Sequence, residues 1–563
     1  MMLMQGSQYR RTQAINLAKM LLVGLFIILV ITACSSGSRG PSTEQVTVRL
    51  ESLANEDVYL ILANPSPIKR SGFSVTSATT QALTSQANDS TSTDIANAEP
   101  IDPLYEEIQE FNRRAVFELQ DASDELSVQT ALTTNPNWTE GFQRPIYIDR
   151  AGSTVDTTLR LRRSKNVQGE DITLYIWVAN HAWHQGGTKE HLLNQQQVID
   201  LADTFLHPTQ PAVYDWVTDI VGEPWGEHTR SNVIAPAEAD HIHIVLKDIP
   251  RSTAGYFNAG NNFLDSNVDW RSNQGLYFFI DSTWAGRVDY PPIVASVLAH
   301  ELQHVINFYQ QGVLRDNASE RWLDELASMA IEDLVADKLF VGWPRGIWPR
   351  GGIYDYGVGE QPVTGGGLVR YNPHTNYSLS DWQQTSVDYA KSYAFGAYLM
   401  RAYDGPRILR NIVQAPFKGQ LAVTHAVKAS GGPDSFAEIL LDFGEAVLRS
   451  FDPAAPARVR MNHGSQGSAY SHAMFDYNYR LGSIDLHNVH WWEWSEEEEG
   501  YVLNRDRLGP MTMTLSAFDE NYTFNETAKY LIAVARDFSG DYNLTFNIPE
   551  GMAYRMVRFA HRP

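Results

Sequence analysis

Five consecutive residues, His300-Glu301-Leu302-Gln303-His304, combine residue types and a spacing that suit metal-assisted chemistry. In a helix, histidines four residues apart lie on one face about one turn apart, so both imidazoles can reach a single cation. The glutamate beside the first histidine can then act on a water bound to that cation. The spacing therefore predicts a metal site with His300 and His304 as two of its ligands.

A zinc site of this kind needs a third protein ligand and leaves a fourth position for water. The segment Arg321 to Ser328 offers Glu325, which lies 21 residues after His304, enough chain for a turn and a returning helix. Apolar residues surround the acidic pair, so at least one carboxylate is expected to point inward. We favour Glu325 as the third ligand and keep Asp324 as the alternative.

Three strongly periodic helices are predicted to position these side chains, over residues 292–311, 319–339 and 387–403. The first follows Pro291, which suits a helix start, and Gly312 suits its end. Its apolar positions form a surface that should be buried, which would place both histidines inside the protein. Buried imidazoles and a buried carboxylate are costly unless something satisfies them, and a metal ion does so.

The sequence H-E-L-Q-H followed by W-L-D-E-L-A-S resembles the gluzincin clan of zinc metallopeptidases, and within it the hyicolysin-like family of bacterial secreted metalloproteases. Similarity to that family extends over about residues 190–448. The resemblance implies one catalytic Zn²⁺ held by His300, His304 and Glu325, with Glu301 as general base. It implies protein or peptide substrates and a thermolysin-like core. A structural Ca²⁺ is compatible with the resemblance, but no motif indicates one.

The resemblance also implies a hydrogen-bond donor for the oxyanion of the reaction. The segment Tyr389 to Gly396 is similar to a helix that carries a catalytic tyrosine in several gluzincins, so Tyr389 is the first choice and Tyr393 the second. Both could instead pack in the core. Thermolysin-like relatives use a distant histidine for this role, and four histidines of the chain remain candidates: His374, His425, His463 and His472.

Two departures from the clan's patterns matter. The G-x-M-E-N motif of its aminopeptidases is missing from the sequence, which favours an endopeptidase over an aminopeptidase. The position four residues past Glu325, where thermolysin-type enzymes have an aspartate that orients a histidine ligand, is Met329. Another group must therefore orient the histidines. A non-catalytic surface lipoprotein with this fold is the main alternative to an enzyme.

The N-terminus predicts export and a lipid anchor. Basic residues precede an apolar run of 12 residues, Met20 to Ile31, which is too short to cross a bilayer as a helix. The following Thr32-Ala33-Cys34 resembles a bacterial lipobox, in which the cysteine becomes lipid-modified. We therefore predict a signal peptide over 1–33 and a lipoprotein at the outer membrane or cell surface of a bacterium; an ordinary signal peptide or short anchor is the alternative.

Composition limits the remaining possibilities. The chain has 563 residues and a formal net charge of −22, which disfavours binding to nucleic acid. Its single cysteine excludes both internal disulfides and a thiolate metal cluster, and no disulfide-linked oligomer is expected. Any metal must therefore be bound by histidine and carboxylate.

The order of predicted elements indicates an α+β fold, in which a metallopeptidase core with a small sheet and a helical subdomain lies between β-rich regions. We predict a tether and β-rich N-terminal region over 34–188, a catalytic domain over 189–455, and a β-rich C-terminal domain over 480–563. Residues 71–98 read as a flexible insert, because 12 of these 28 are Ser or Thr. Near the N-terminus, 46–50 and 58–63 are predicted to form a hairpin.

Overall fold

Two larger sheets and a group of helices make up the part of the chain that the computed structural model describes. The α+β class expected from the sequence is confirmed by this mixture. The described residues are 42–79, 103–121, 138–149, 151–185, 192–249, 254–264, 271–286, 291–339, 367–464, 468–470, 476–495, 500–519 and 521–562. The predicted signal peptide, Cys34 and most of the Ser/Thr-rich insert lie outside these residues.

Fifteen strands lie in the described residues. They are β1 (Thr43–Asn64), β2 (Ser74–Ala78), β3 (Gln143–Tyr147), β4 (Thr154–Val167), β5 (Glu170–Ala179), β6 (His241–Lys247), β7 (Gly255–Phe257), β8 (Leu276–Asp281), β9 (Ser468–Tyr470), β10 (Tyr479–Leu481), β11 (His490–Ser495), β12 (Gly500–Leu508), β13 (Met513–Thr514), β14 (Ala528–Pro549) and β15 (Ala553–Ala560).

Eleven α-helices lie in the same described ranges. They are α1 (Pro103–Asp121), α2 (Gln195–Phe205), α3 (Val213–Val221), α4 (Ser282–Gly286), α5 (Pro291–Asn307), α6 (Arg321–Leu339), α7 (Leu368–Tyr371), α8 (Ser386–Ala402), α9 (Pro406–Val413), α10 (Gly419–Ala429) and α11 (Phe436–Leu448). A π-helical segment, Phe308–Val313, continues α5. No helix within these ranges has the length and apolar character needed to cross a bilayer.

A six-stranded sheet supports the predicted metal helices. Its strand order is β3-β4-β5-β6-β8-β7, with β6 parallel to both β5 and β8 and with β7 antiparallel at the edge. The central strands are buried on both faces, which is why LYFFI is an uninterrupted apolar run and HIHIVL is apolar except for its two histidines. Helices α2 and α3 lie in the connection between β5 and β6, as a parallel pairing requires.

A second sheet joins the two ends of the described chain. Its order is β13-β14-β1-β15, with β2 also pairing with β14. The N-terminal strand β1 is antiparallel to both β14 and β15, so the regions predicted as separate N-terminal and C-terminal β domains share one sheet. The predicted boundary at 188/189 also separates β5 from β6, which pair directly. The observed strand pairing therefore differs from the predicted division, and Thr43–Pro563 forms one compact unit.

The predicted hairpin near the N-terminus is wrong, because its two arms belong to the single strand β1. The turn-like residues between them form irregularities in the pairing with β14, where Ser52 and Asn55 have positive φ angles of 57° and 55°. The facing part of β14 bends in the same place, with positive φ at Asp537 and Gly540. A partner that bends together with it lets β1 continue through residues that would otherwise make a turn.

Candidate metal centre and active site

Helix α5 holds His300 and His304 on one face, with ring centroids 4.7 Å apart. The helix packs against α2, α3, α6 and strands β7 and β8, so both side chains are almost fully buried. The buried apolar positions of α5 include Leu298, Leu302 and Ile306, at the helical spacing the sequence predicts. The two imidazoles therefore lie in the interior on a rigid element.

Helix α6 runs beside α5 and brings Glu325 to the two histidines. Oε2 of Glu325 lies 3.2 Å from Nε2 of His300 and 3.7 Å from Nε2 of His304. One ligand atom from each of the three side chains lies within 4.8 Å of the other two. The Glu325 side chain is fully buried. The two imidazoles and this carboxylate therefore converge on one point, as a shared cation would require.

Buried atoms without hydrogen-bond partners test whether a metal fits here. Both carboxylate oxygens of Glu325, Nε2 of His304 and Oε2 of Glu301 are buried without such a partner, and the contacts to Glu325 lack hydrogen-bond geometry. Leaving such groups unsatisfied is costly, whereas coordination of a cation satisfies imidazole nitrogens and carboxylate oxygens together. Two histidines and one glutamate form a donor set typical of catalytic zinc. The residues present fit a zinc ion.

The opposite side of each imidazole is held by a second carboxylate. Nδ1 of His300 lies 2.8 Å from Oε1 of Glu332, whose other oxygen bonds to the hydroxyl of Ser296. Nδ1 of His304 lies 3.0 Å from Oδ2 of Asp324. Carboxylates at Nδ1 fix the orientation of each ring and leave Nε2 as the coordinating atom. Asp324, the alternative third ligand, thus contacts the far side of His304, while Glu325 faces both Nε2 atoms.

Glu332 was not found by sequence reasoning. It lies seven residues after Glu325, about two helical turns, and therefore on the same face of α6. The position four residues past Glu325, where an orienting aspartate was expected, is Met329. The residues next to Glu332 in the sequence do not distinguish it from an acidic residue on a solvated helix face. The signal that could have found it is its two-turn spacing from Glu325 within a helix whose neighbouring positions are apolar.

Glu301 is buried beside the ligand cluster. Burial raises the pKa of Glu301 to about 7, against the lowering effect of His300 and His304. A carboxyl group with a pKa near neutral is suited to accept a proton and release it again. The position next to His300 and the elevated pKa agree with the role of general base expected for Glu301.

Charge complementarity stabilises the ionised forms of the ligand residues. Burial opposes the cation on His300, but the negative charges of Glu325 and Glu332 outweigh it and raise its pKa well above 6.5. Metal binding would release the proton from Nε2 of this imidazole. Burial also opposes ionisation of Glu325, yet the two histidines and Arg321 lower the pKa of its carboxyl group. Glu325 is therefore held as a carboxylate, which is the form that binds a metal.

The first turn of α8 places Tyr389 at the site. Its hydroxyl lies 3.2 Å from that of Tyr105 in α1, and the positive charge of Arg321 acts on it. Burial and the charge of Glu325 raise the pKa of Tyr389 well above 10, so the hydroxyl stays protonated. A protonated phenol can donate a hydrogen bond to a developing oxyanion.

Tyr393, the second choice, points into a different network. It lies one turn further along α8, and its hydroxyl donates to Oδ2 of Asp333 at 3.1 Å. The same carboxylate oxygen accepts from Arg401 at 2.8 Å. Tyr393 and Arg401 are buried, so this is an internal salt-bridge network that links α6 to α8.

The candidate histidines have neighbours in other parts of the fold. Nδ1 of His374 lies 2.6 Å from the backbone oxygen of Arg370, and the ring of His425 packs against Phe417. Burial lowers the pKa of His463 to about 4. His472 lies outside the described residues. Among the described candidates, Tyr389 is affected by the charge of Glu325; its role as the oxyanion donor stays a prediction.

A cavity of about 360 Å³ opens beside the cluster. Helix α1 forms one wall, while α5, its π-helical continuation and the start of α6 form another. His304, Asp324 and Arg321 are among the lining residues, so the cavity adjoins the metal ligands. A cleft of this size beside a cation site could accept a segment of polypeptide.

Residues 153–485 match the model of a family described as Peptidase M30. The match covers more than half of the chain. It includes strands β4–β10, helices α2–α11 and every residue of the ligand cluster, whereas β1, β2 and α1 lie outside it. No curated protein matches the chain.

Among solved structures, the chain is similar to M1 zinc metallopeptidases of Deinococcus radiodurans. One is a variant bound to a Tyr-Ser-Ala substrate, with 14% identity over 53% of this chain and a TM-score of 0.25. Another is an M1 zinc metallopeptidase from the same organism, with 12% identity over 52% of this chain and a TM-score of 0.25. The chain spans 57% of the length of each of these structures.

Proposed function

The chain belongs to the peptidase M30 family, and from that premise we propose that it is an exported, zinc-dependent endopeptidase. The observation that carries this proposal is the convergence of His300, His304 and Glu325 within 4.8 Å, with Glu301 buried beside them. Two imidazoles and a carboxylate leave one position of a tetrahedral zinc for water. Protein or peptide chains are the proposed substrates.

His300, His304 and Glu325 would hold the zinc ion, which when bound supplies Lewis acidity toward a carbonyl oxygen and lowers the pKa of water. Glu301 accepts a proton from the water that attacks the scissile carbonyl carbon, and then delivers that proton to the leaving amine nitrogen. Tyr389 donates its hydroxyl hydrogen to the oxyanion that forms on the former carbonyl.

Endopeptidase activity is proposed over aminopeptidase activity because the sequence has no G-x-M-E-N motif. An aminopeptidase needs a fixed acidic group that binds the free amine of its substrate, and this motif provides one in aminopeptidases of the clan that the sequence resembles. The finer placement of the chain with the hyicolysin-like enzymes rests on the same resemblance. A peptide pair that differs only in acetylation of its N-terminus distinguishes the two activities, since an endopeptidase cleaves both.

We further propose that Cys34 carries a lipid and holds the enzyme at the outer membrane or cell surface of a bacterium. The apolar run of 12 residues before Thr32-Ala33-Cys34 supports this proposal. Two or more acyl chains on one cysteine give stable membrane attachment. Growth with a labelled fatty acid should label the wild-type protein, whereas Cys34→Ser should be unlabelled; a labelled Cys34→Ser would contradict the anchor.

The central experiment compares the wild type with Glu301→Gln. Zinc content should be unchanged in the variant, because Glu301 is not a ligand, while peptide cleavage should fall by at least about a hundredfold. A wild-type protein that binds one zinc ion per chain and cleaves no unfolded protein substrate would refute the proposal.

A further inference from the structure

Helix α1 reaches the active site from outside the region that matches the family. Its apolar face is buried, with Ile108 and Ala115 fully inaccessible to solvent and Phe111 against Phe263. Burial of such a face fixes the helix against the rest of the core. The helix is therefore an integral part of the cleft wall.

Asn112 fixes α1 at the end of the edge strand β7. Its side-chain nitrogen donates to the backbone oxygen of Phe257 at 3.0 Å, and its side-chain oxygen accepts from the backbone nitrogen of Ala259 at 2.7 Å. These two hydrogen bonds satisfy backbone groups of the last residue of β7 and of a residue just beyond the β7–β8 pairing. They also determine how far α1 extends along the cleft, and so where its first turn lies.

That first turn carries Tyr105 to the ligand cluster. Its hydroxyl lies 3.2 Å from the hydroxyl of Tyr389, and Cζ of Arg321 lies 5.9 Å from its ring centroid. Burial and the charges of Tyr389, Glu325 and Glu301 raise the pKa of Tyr105 well above 10. Both phenols therefore carry their protons, and one of them donates to the other.

The donor inventory distinguishes the two directions. A phenol hydroxyl has one proton to donate, while its oxygen can accept hydrogen bonds. If Tyr389 donated to Tyr105, it would have no proton left for an oxyanion. If Tyr105 donates to Tyr389, the Tyr389 oxygen accepts that hydrogen bond and its own proton is free to point toward the substrate.

We propose that Tyr105 is a positioning residue that donates its hydroxyl hydrogen to Tyr389 and thereby directs the Tyr389 proton toward the reacting carbonyl. This inference rests on the proposed function, because it assigns Tyr105 a role through the oxyanion donor. It makes α1, which the family match does not include, a required part of the active site.

The test is a double-mutant cycle on the zinc-loaded enzyme with an N-acetylated peptide substrate. Tyr389→Phe should lower kcat about a hundredfold. Tyr105→Phe should lower kcat about tenfold, a smaller effect because Tyr389 keeps its proton part of the time, and should leave KM within twofold. The double variant should be no slower than Tyr389→Phe alone, because Tyr105 acts only through Tyr389.

Tyr403→Phe is the matched control, since it breaks another hydroxyl pair among the described residues, Tyr398 and Tyr403, which are 3.1 Å apart at the far end of α8. It should leave kcat unchanged. A peptide phosphonamidate, which presents a tetrahedral anion, should bind Tyr105→Phe about tenfold more weakly than the wild type, whereas a purely structural role of Tyr105 would not weaken it selectively.

Multiplicative losses in the double variant, or a loss that appears in KM alone, would overturn the role of Tyr105 while leaving the peptidase activity standing. A zinc-loaded wild type that cleaves no peptide would overturn the proposed function and the role of Tyr105 together.

Discussion

His300 and Glu332 form a buried pair, in which Nδ1 of the imidazole lies 2.8 Å from Oε1 of the carboxylate. Glu332 lies on α6 two turns after Glu325, so one helix supplies both the carboxylate facing Nε2 and the carboxylate facing Nδ1. Helix α6 therefore contacts the His300 imidazole at both of its ring nitrogens. This pairing replaces the orienting aspartate that the sequence lacks at Met329.

Replacement of Glu332 is expected to weaken zinc binding without removing a ligand. Glu332→Gln should lower zinc affinity about tenfold and Glu332→Ala up to about a hundredfold, since the carboxylate orients His300 and raises its basicity. Competition with a chromophoric chelator measures the affinity. The control is Glu445→Gln, which alters a carboxylate on α11 that is paired with Arg555 of β15. Equal zinc affinity in Glu332→Ala and wild type would contradict the orienting role.

The neighbours Asp324 and Glu325 are expected to respond differently to loss of charge. Glu325→Gln should lose most bound zinc, because its carboxylate faces both Nε2 atoms. Asp324→Asn should retain stoichiometric zinc with an affinity lowered about tenfold, because it contacts only Nδ1 of His304. Metal content after dialysis distinguishes the two. The reverse order of zinc loss would make Asp324 the ligand.

Replacement of Tyr389 is expected to affect catalysis, whereas replacement of Tyr393 is expected to affect stability. Tyr389→Phe should lower kcat about a hundredfold with little change in the free energy of unfolding. Tyr393→Phe should instead lower the free energy of unfolding by about 1–2 kcal/mol, because it removes a hydrogen bond from the buried Asp333 carboxylate, and should leave kcat unchanged. Steady-state kinetics and urea unfolding of both variants check this. If kcat fell in Tyr393→Phe and not in Tyr389→Phe, Tyr393 and not Tyr389 would be the catalytic residue.

Lys529 is expected to make stability depend on pH. It is buried between β14 and α7, where Nζ donates to Oη of Tyr371 and to the backbone oxygen of Thr375. Burial lowers its pKa to about 7. Between pH 7 and the ordinary pKa of 10.5, the unfolded chain binds a proton that the folded chain has released, so this residue makes stability rise with pH.

The stability of Lys529→Met relative to the wild type should therefore change with pH. The variant's advantage in free energy of unfolding should be constant below pH 6 and should shrink by up to about 1.4 kcal/mol per pH unit between pH 7.5 and 9. Urea unfolding at each pH measures it. Lys428→Met, at an exposed lysine paired with Asp434, should show no such trend. If the difference in free energy of unfolding between Lys529→Met and the wild type did not change with pH, the lowered pKa of Lys529 would be contradicted.

The amino-acid sequence alone determined the elements that depend on local spacing. Helical periodicity placed His300 and His304 on one face of α5 and Glu325 on a returning helix, and those three side chains converge. Predicted helices over 292–311, 319–339 and 387–403 correspond to α5 with its π-helical continuation, α6 and α8. Such patterns are readable because the residues that make them are within two or three turns of one another.

Only the tertiary structure decided which distant groups meet. The pairing of β1 with β14 joins residues 464 to 506 positions apart, and the hydroxyl pair of Tyr105 and Tyr389 joins residues 284 apart. The choice of Asp324 and Glu332 as the partners of Nδ1 depends on how α6 is rotated against α5. These contacts are set by packing of whole elements against one another, for which no local spacing in the sequence provides a signal.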